Sequence, residues 1–366
     1  MRVEREIAAI AFPFAAGITA AIILGASPCI INPTYPIIAL TITLLSAVLL
    51  LRSSRNNWSG DTQWSIVISC AIACGIFIGL SALELRVSEI PAAGTFRRYA
   101  RIAGENLQAL IDRIAFEDSS TNAVLKALLT GNRSDITNET AHAFRNSGAS
   151  HILALSGLHL GVIYAMITKI LSFAGNNIGI RRLRSAIAII LCGLYTLATG
   201  AGASITRAYV FIIVKETAEM TGRHTSLKSI LALSLMLHLA FDPTAAADVG
   251  FQLSYAAIFG IAYIFPYLRN IWKNNWKGLR WIWESAALSI SCQLTTGPLA
   301  YYYFGTFPQY FLLTNLIAIP LSGMIIPAAL LTTALAAIDC CPDIIIWITE
   351  WLTQTLIRTL NVIASM

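Results

Sequence analysis

Two histidines, a serine and a glycine stand close together at the start of a long apolar run: His151, Ser156, Gly157 and His159. Imidazole and hydroxyl groups exchange protons, form hydrogen bonds, and pair as base and nucleophile. On one continuous helix, which advances about 100° per residue, the two histidines and the serine would share a face. We predict that this face lines a polar cavity. The simpler alternative is that a histidine here anchors a helix at the membrane surface.

Arg207 directly follows a run of small residues, 199–206, which would allow two helices to approach closely. A guanidinium stays charged and offers five hydrogen-bond donors, so inside a membrane it must meet an acid or an anion. Asp242 and Asp248 are the candidate structural partners. The phosphate of a passing ligand is the functional alternative.

Further polar side chains lie near the ends of other apolar runs, all on the side of the membrane that the charge pattern below assigns as outer. Residues that only pack would scatter in depth, so this agreement predicts a shared, water-filled vestibule that opens outward. We predict that its lining and its ligand contacts come from His151, Ser156, Gly157, His159, Gly202, Ser204, Arg207, Gln252, Ser254, Gln293 and Asn315.

The elements that must position these residues are membrane helices. Of the 366 residues, 56% are hydrophobic and 12% are charged, about half the charged fraction of an ordinary soluble domain. Apolar runs close to the length of a membrane helix recur along the chain and predict an all-α, polytopic membrane protein with 10 or 11 spans. The runs are 7–26, 36–51, 64–83, 152–174, 185–201, 205–220, 227–241, 251–267, 282–300, 311–338 and 344–366.

The orientation follows from the short loops between these runs. With a cytoplasmic N-terminus, the loops on the inner side carry 14 Lys or Arg residues, and the short outer loops 27–35, 242–250 and 301–310 carry none. This asymmetry is the positive-inside pattern, and it requires the weak run 205–220 to cross the membrane. Pro320 and Pro327 leave open whether 311–338 is a kinked helix or a re-entrant pair.

Residues 84–150 form a long hydrophilic segment that this topology places outside. Phe96, Tyr99, Leu107 and Ile114 belong to an apolar set at helical spacing, which predicts an amphipathic helix that lies on the membrane or packs on the tops of the spans. A second helix should end at Gly131, and Asp135 or Thr137 should cap a third over about 138–147. The predicted division is 1–83, 84–150 and 151–366.

Two functional classes besides a channel fit these residues. Ser156 with His159 could form the nucleophile and base of an intramembrane hydrolase, and Ser204 is another candidate hydroxyl, although no GxSxG motif surrounds Ser156. A small-solute transporter is the other alternative. The chain has five histidines and no CxxC pair, so we expect no metal and no cofactor, and we assign no catalytic residue.

Four motifs in order resemble the ComEC family of competence proteins: LLTGNRSDI (128–136), AFRNSGASHILALSGLHLG (143–161), GAGASITRA (200–208) and DVGFQLSYAAIFGI (248–261). The resemblance covers roughly 120–340. It aligns His151, Ser156, Gly157 and His159 with the SGLH segment of the family, Gly202, Ser204 and Arg207 with its Gly/Ser-rich stretch, and Gln252 and Ser254 with its FQLS element.

The resemblance implies an inner-membrane channel that passes single-stranded DNA into naturally transformable bacteria. Full-length members typically add an oligonucleotide-binding fold and a metallo-β-lactamase-like nuclease domain, and we expect this chain to be a short form without either. Its partners would then be single-stranded DNA, the lipid bilayer, a separate nuclease or DNA-binding protein and the DNA-uptake machinery. An oligomer is compatible with this reading.

Overall fold

The structure is a computed structural model that describes residues 2–25, 60–84, 91–173, 175, 177–222, 225–272, 276–305 and 309–366. These residues are almost entirely helical, and none of them lies in a strand. The predicted all-α class is confirmed. The predicted span over 36–51 lies outside the described residues.

Fifteen α-helices are described in this part of the chain. They are α1 (Arg2–Gly25), α2 (Gly60–Glu84), α3 (Pro91–Asp112), α4 (Ser119–Thr130), α5 (Asn138–Asn146), α6 (Ser150–Leu153), α7 (Gly157–Ser172), α8 (Ile178–Ala198), α9 (Ala203–Met220), α10 (Leu227–Phe241), α11 (Val249–Phe259), α12 (Phe265–Ile271), α13 (Lys277–Phe304), α14 (Phe311–Ala336) and α15 (Asp343–Ala364). A 3-10 turn, Pro243–Ala247, precedes α11, and a π turn, Gly260–Ile264, joins α11 to α12.

The protein is a helical membrane protein. Two stretches among the described residues are long and apolar enough to cross a bilayer, Val249–Ile271 and Phe311–Ala336. The shorter apolar helices include Gly157–Ser172 and Leu227–Phe241. Because α14 runs unbroken through Pro320 and Pro327, the structure contains a single helix here and not the re-entrant pair. The span count and the orientation stay predictions.

The described chain divides into two compact units. The first comprises 1–90 and 224–262 and contains α1, α2, α10 and α11. Its helices α1 and α2 cross at very short range, because a Cβ at Gly17 would lie 2.3 Å from the Ile72 carbonyl oxygen and a Cβ at Gly75 2.2 Å from that of Phe14. Only glycine allows this approach of the two backbones.

The second unit comprises 91–223 and 263–366 and is built around one apolar core. The helices α4, α5, α6, α7, α8, α9, α14 and α15 all contribute to this core. Fully buried members include Phe144, Ile152, Leu160, Ile205 and Leu356. Residues 119–153 therefore share a core with the membrane helices of this unit. The division into 1–83, 84–150 and 151–366 stays a prediction.

Three helices of the second unit position the candidate site. A Cβ at Gly157 would lie 3.2 Å from the Cβ of Ala208, and seven residues farther along each helix Tyr164 hydrogen-bonds to Lys215. Both contacts join residues that are 51 positions apart, so α7 and α9 run parallel, side by side. The helix α8 packs against both in the opposite direction, with Gly193 against Tyr209.

The segment before α7 packs against this bundle. The helix α3 contacts α8 and α4, and Gly104 permits a close approach to the Ala198 carbonyl at the end of α8. Tyr99, on its predicted apolar face, is 69% exposed, and whether this face lies on the membrane stays a prediction. The predicted helix ends are confirmed, since Gly131 is left-handed at φ 78° and Thr137 caps α5 by accepting a hydrogen bond from the Thr140 N–H.

Candidate functional site

The chain does not run as one helix from His151 to His159, so the shared-face argument for the two histidines and the serine was wrong. The helix α6 ends at Leu153, and α7 begins only at Gly157. Ser156 is extended, with φ −120° and ψ 166°, and takes the N-cap position that serine favours. His151 is exposed, and its Nδ1 lies 3.1 Å from the Gly148 carbonyl oxygen.

Ser156 and His159 nevertheless meet, through a cap at the start of α7. The backbone N–H of Ser156 donates to Nδ1 of His159 at 3.1 Å, and the Ser156 hydroxyl lies 2.9 Å from the same nitrogen. His159 thus occupies the position of the Glu or Gln in a capping box. Because Nδ1 must accept, the neutral imidazole carries its proton on Nε2.

The opposite side of the imidazole has different surroundings. His159 is 0% exposed, and its Nε2 has no hydrogen-bond partner among the described residues. A buried N–H without a partner costs about 1–3 kcal/mol, so such groups are rare in folded proteins. Nδ1 of His159 accepts the hydrogen bond that caps α7, and this fixes the direction of the Nε2–H donor.

Arg207 lies on the helix that packs directly against this cap. Gly157 faces Ala208, the next residue after Arg207, and the Arg207 side chain is buried at 7% exposure. Gly202 is the exposed N-cap of the same helix α9, and Ser204 is half-buried in its first turn. The structure therefore brings the SGLH segment and the Gly/Ser-rich stretch ending at Arg207 to adjacent ends of two parallel helices.

The remaining predicted residues lie on other helices. Asn315 is the fifth residue of α14, which packs on α7, and its Oδ1 is buried without a hydrogen-bond partner in the described part of the chain. Gln293 is half-buried on α13. Gln252 and Ser254 belong to the first compact unit, where the Gln252 amide donates to the Ala246 carbonyl at 2.9 Å. The common vestibule stays a prediction.

A second polar cluster lies near the other ends of α7, α8 and α9 and was missed from the sequence. The Tyr164 hydroxyl donates to the Glu216 carboxylate, and the Lys215 ammonium donates to the Tyr164 oxygen and, at 3.1 Å, to Glu216. Ser185 also hydrogen-bonds to Glu216, which is 4% exposed. The available signal in the sequence was the adjacent Lys215 and Glu216 within the predicted span 205–220.

A third cluster, in the segment before α7, fixes the LLTGNRSDI motif. The buried Lys126 ammonium lies 2.6 Å from Asp112 and 2.8 Å from Asp135. Burial favours a lower pKa for Lys126, but the hydrogen bonds and charges of the two aspartates outweigh it and raise that pKa. The hydrogen bond from Lys126 lowers the pKa of Asp135. This arrangement ties α4 to both of its flanking segments.

The contacts at these sites are hydrogen bonds and ion pairs between protein groups. Within the described ranges, no three His, Cys, Asp or Glu residues are grouped so that they could hold a metal ion. The Ser156–His159 contact has the distance of a nucleophile–base pair, yet Nδ1 is also held by the backbone N–H, and Nε2 meets no carboxylate in the described part. A catalytic triad orients its imidazole through such a third group.

The motifs and their packing agree with a comparison to known proteins. The family model described as "Competence protein" matches residues 128–366, more than half of the chain. The chain belongs to the competence protein family. This match includes the Ser156–His159 cap, the stretch that ends at Arg207 and the Tyr164–Lys215–Glu216 cluster.

Two curated relatives are similar to this chain over more than half of its length. ComE operon protein 3 of Bacillus subtilis is 26% identical over 208 residues, which is 57% of this chain and 24% of that protein. Recombination protein 2 of Haemophilus influenzae is 24% identical over 258 residues, 66% of this chain and 32% of that protein. The chain therefore spans about a quarter to a third of the length of these relatives. No solved structure matches it significantly.

Proposed function

We propose that this protein is a multi-pass component of the bacterial inner membrane that passes single-stranded DNA into the cytoplasm during natural transformation. The strand would pass the adjacent ends of α7 and α9, where the Ser156–His159 cap packs beside Arg207. The N-terminus would be cytoplasmic, as the distribution of Lys and Arg predicts. DNA-binding proteins and a nuclease would act as partners, and the strand itself is the substrate.

The single observation that carries the proposal is the meeting of two family motifs at one place. Gly157 and Ala208 are in contact range, so His159 and Arg207 belong to the same helix pair. An Arg guanidinium binds phosphate oxygens well, and an imidazole N–H is a suitable second donor. Among the residues that the structure describes, no carboxylate completes a catalytic triad with Ser156 and His159, which favours a binding role over hydrolysis.

Few charges at this place suit a channel. Affinity for a nucleic-acid backbone is mainly electrostatic, and it falls as salt rises. A conducting site must also release its ligand, so it needs contacts that are weak and distributed. One guanidinium and one neutral imidazole donor meet that requirement better than a strongly basic groove would.

The test is uptake of labelled DNA by transformable cells that carry chain variants, with membrane insertion measured in parallel. Arg207→Gln should reduce uptake by at least tenfold while the amount of inserted protein stays unchanged. The matched control is Arg98→Gln, which removes the same group from an exposed position on α3. Normal uptake of DNA by cells with the Arg207→Gln protein would overturn the proposal. If these cells instead lost uptake of a small solute and kept uptake of DNA, the protein would be a small-solute transporter.

A further inference from the structure

A cavity of about 440 Å³ opens between α7, α8 and α9, at the ends opposite to the Ser156–His159 cap. Its position is that of the predicted cytoplasmic side. Its charged lining residues are Lys169, Arg184, Lys215, Glu216 and Glu219, and the hydroxyl groups of Tyr164, Thr168 and Ser185 also border it. This volume lies within the range of small-molecule sites and exceeds what one water molecule or one small ion needs.

Within this lining, Glu216 is already satisfied as an anion. Its carboxylate accepts hydrogen bonds from Tyr164, Lys215 and Ser185. The Lys215 ammonium also lies over the Tyr164 ring, 4.9 Å from its centroid. The charges of Lys215 and Glu216 cancel, and the hydrogen bonds of Glu216 hold Tyr164 and Lys215 at the cavity wall.

Two cations of the lining remain available to a ligand. Lys169 and Arg184 form no ion pair within the described residues, although both border the cavity together with Glu219. With three cations against two carboxylates, the lining is positive overall. Arginine presents a planar fork of donors and lysine a mobile point charge, a combination that suits phosphate oxygens.

We infer that this cavity binds a phosphate group of a single DNA strand as the strand reaches the cytoplasmic side, with Lys169 and Arg184 as its contacts. The inference rests on the proposed function for the identity of the strand. Arg207 and Lys215 lie on the same helix and are separated by about 12 Å along its axis, at 1.5 Å per residue. A strand that passes Arg207 therefore reaches the cavity next.

The experiment uses the full chain in nanodiscs of zwitterionic lipid, titrated with a short, fluorescent, single-stranded oligothymidylate at low salt. The double variant Lys169→Gln/Arg184→Gln should bind at least tenfold more weakly than the unaltered chain. The slope of log affinity against log salt should also become shallower by about 0.7, the value for one neutralised phosphate of a single strand. The matched control, Arg98→Gln/Lys277→Gln, removes the same charges from exposed positions and should change the affinity less than twofold.

The Arg207→Gln variant is titrated in the same way, so that the two proposals fail separately. Unchanged binding by the Lys169→Gln/Arg184→Gln protein, together with weaker binding by the Arg207→Gln protein, would overturn the cavity site and leave the proposed function standing. The reverse result would support the cavity and count against the Arg207 contact. In nanodiscs that contain anionic lipid, loss of lipid binding without loss of oligonucleotide binding would identify a headgroup site and overturn the inference.

Discussion

The Ser156–His159 cap predicts that two substitutions of one histidine will separate folding from function. His159→Ala removes a side chain that is 0% exposed, and with it the acceptor of the Ser156 N–H at 3.1 Å. The lost cap costs about 1 kcal/mol, and the cavity left by a buried ring costs about 2–4 kcal/mol. Removal of the buried Nε2–H, which has no partner among the described residues, returns about 1–3 kcal/mol. The expected net destabilisation is roughly 2 kcal/mol.

His159→Gln should behave differently, because glutamine is a natural residue at this capping-box position. Its amide oxygen can accept the Ser156 N–H, and its volume is close to that of the imidazole, so we expect a loss of about 1 kcal/mol or less. The Nε2–H of His159 is lost in both variants. DNA uptake should therefore fall in both, while the melting temperature of the purified protein falls clearly only in His159→Ala.

The assay is thermal unfolding of the purified chain in nanodiscs, combined with uptake of labelled DNA by cells. Equal destabilisation by the alanine and glutamine variants would refute the assignment of His159 as the acceptor of the cap. Full uptake by His159→Gln would refute a role for the imidazole donor in passage of the strand.

Three further predictions concern the contacts that hold the site in place. The hydrogen bond from Lys126 lowers the pKa of Asp135 in the folded state, so Asp135 stabilises the fold above the unfolded pKa of an aspartate and loses this effect as pH falls through its folded pKa. Below about pH 4, the melting temperature should therefore drop by less in Lys126→Met than in the unaltered chain. An identical drop would contradict the Lys126 cluster. Gly75→Ala should disrupt the α1–α2 crossing and lower the melting temperature, whereas Gly161→Ala, where a Cβ meets nothing within 4 Å, should not; equal effects would count against the crossing. Thr314→Val removes a 2.6 Å hydrogen bond to the buried Ser147 carbonyl and should destabilise the chain by about 1–2 kcal/mol, and an unaffected melting temperature would argue against that bond.

Helix positions could be predicted well from this sequence because long apolar runs report directly on membrane-length helices. The weak run 205–220 became α9 (Ala203–Met220), and the charge pattern alone had argued for it. Local caps were also predictable, since Gly131 and Thr137 act through their own backbone neighbours. Such signals need no knowledge of the distant parts of the chain.

The break before α7 was not predicted, although a local signal existed. Ser156 is followed three residues later by His159, and a capping box is usually recognised by Glu or Gln at that position. Histidine can accept the same hydrogen bond through Nδ1, so the helix starts at Gly157 and not at His151. Because the residues on both sides of Ser156 are mostly apolar, the sequence was interpreted as one continuous helix and the start of α7 was missed.

The pairing of helices could not be predicted from one sequence. Tyr164 and Glu216 are separated by 52 positions, and nothing in their local sequence indicates that α7 and α9 run parallel. The second polar cluster and its cavity follow only from that pairing. The relation of Gln252 and Ser254 to the other predicted site residues stays a prediction for the same reason.

The path of the strand past α7 and α9 is tested most directly by crosslinking during uptake. A photoreactive amino acid is placed at Ser204, which is half-buried in the first turn of α9, or at Ile190, which is 59% exposed on the apolar surface of α8. Incoming labelled DNA should crosslink to position 204 and not to position 190. Uptake that proceeds with no crosslink at 204, or with equal crosslinks at both positions, would contradict the proposed path.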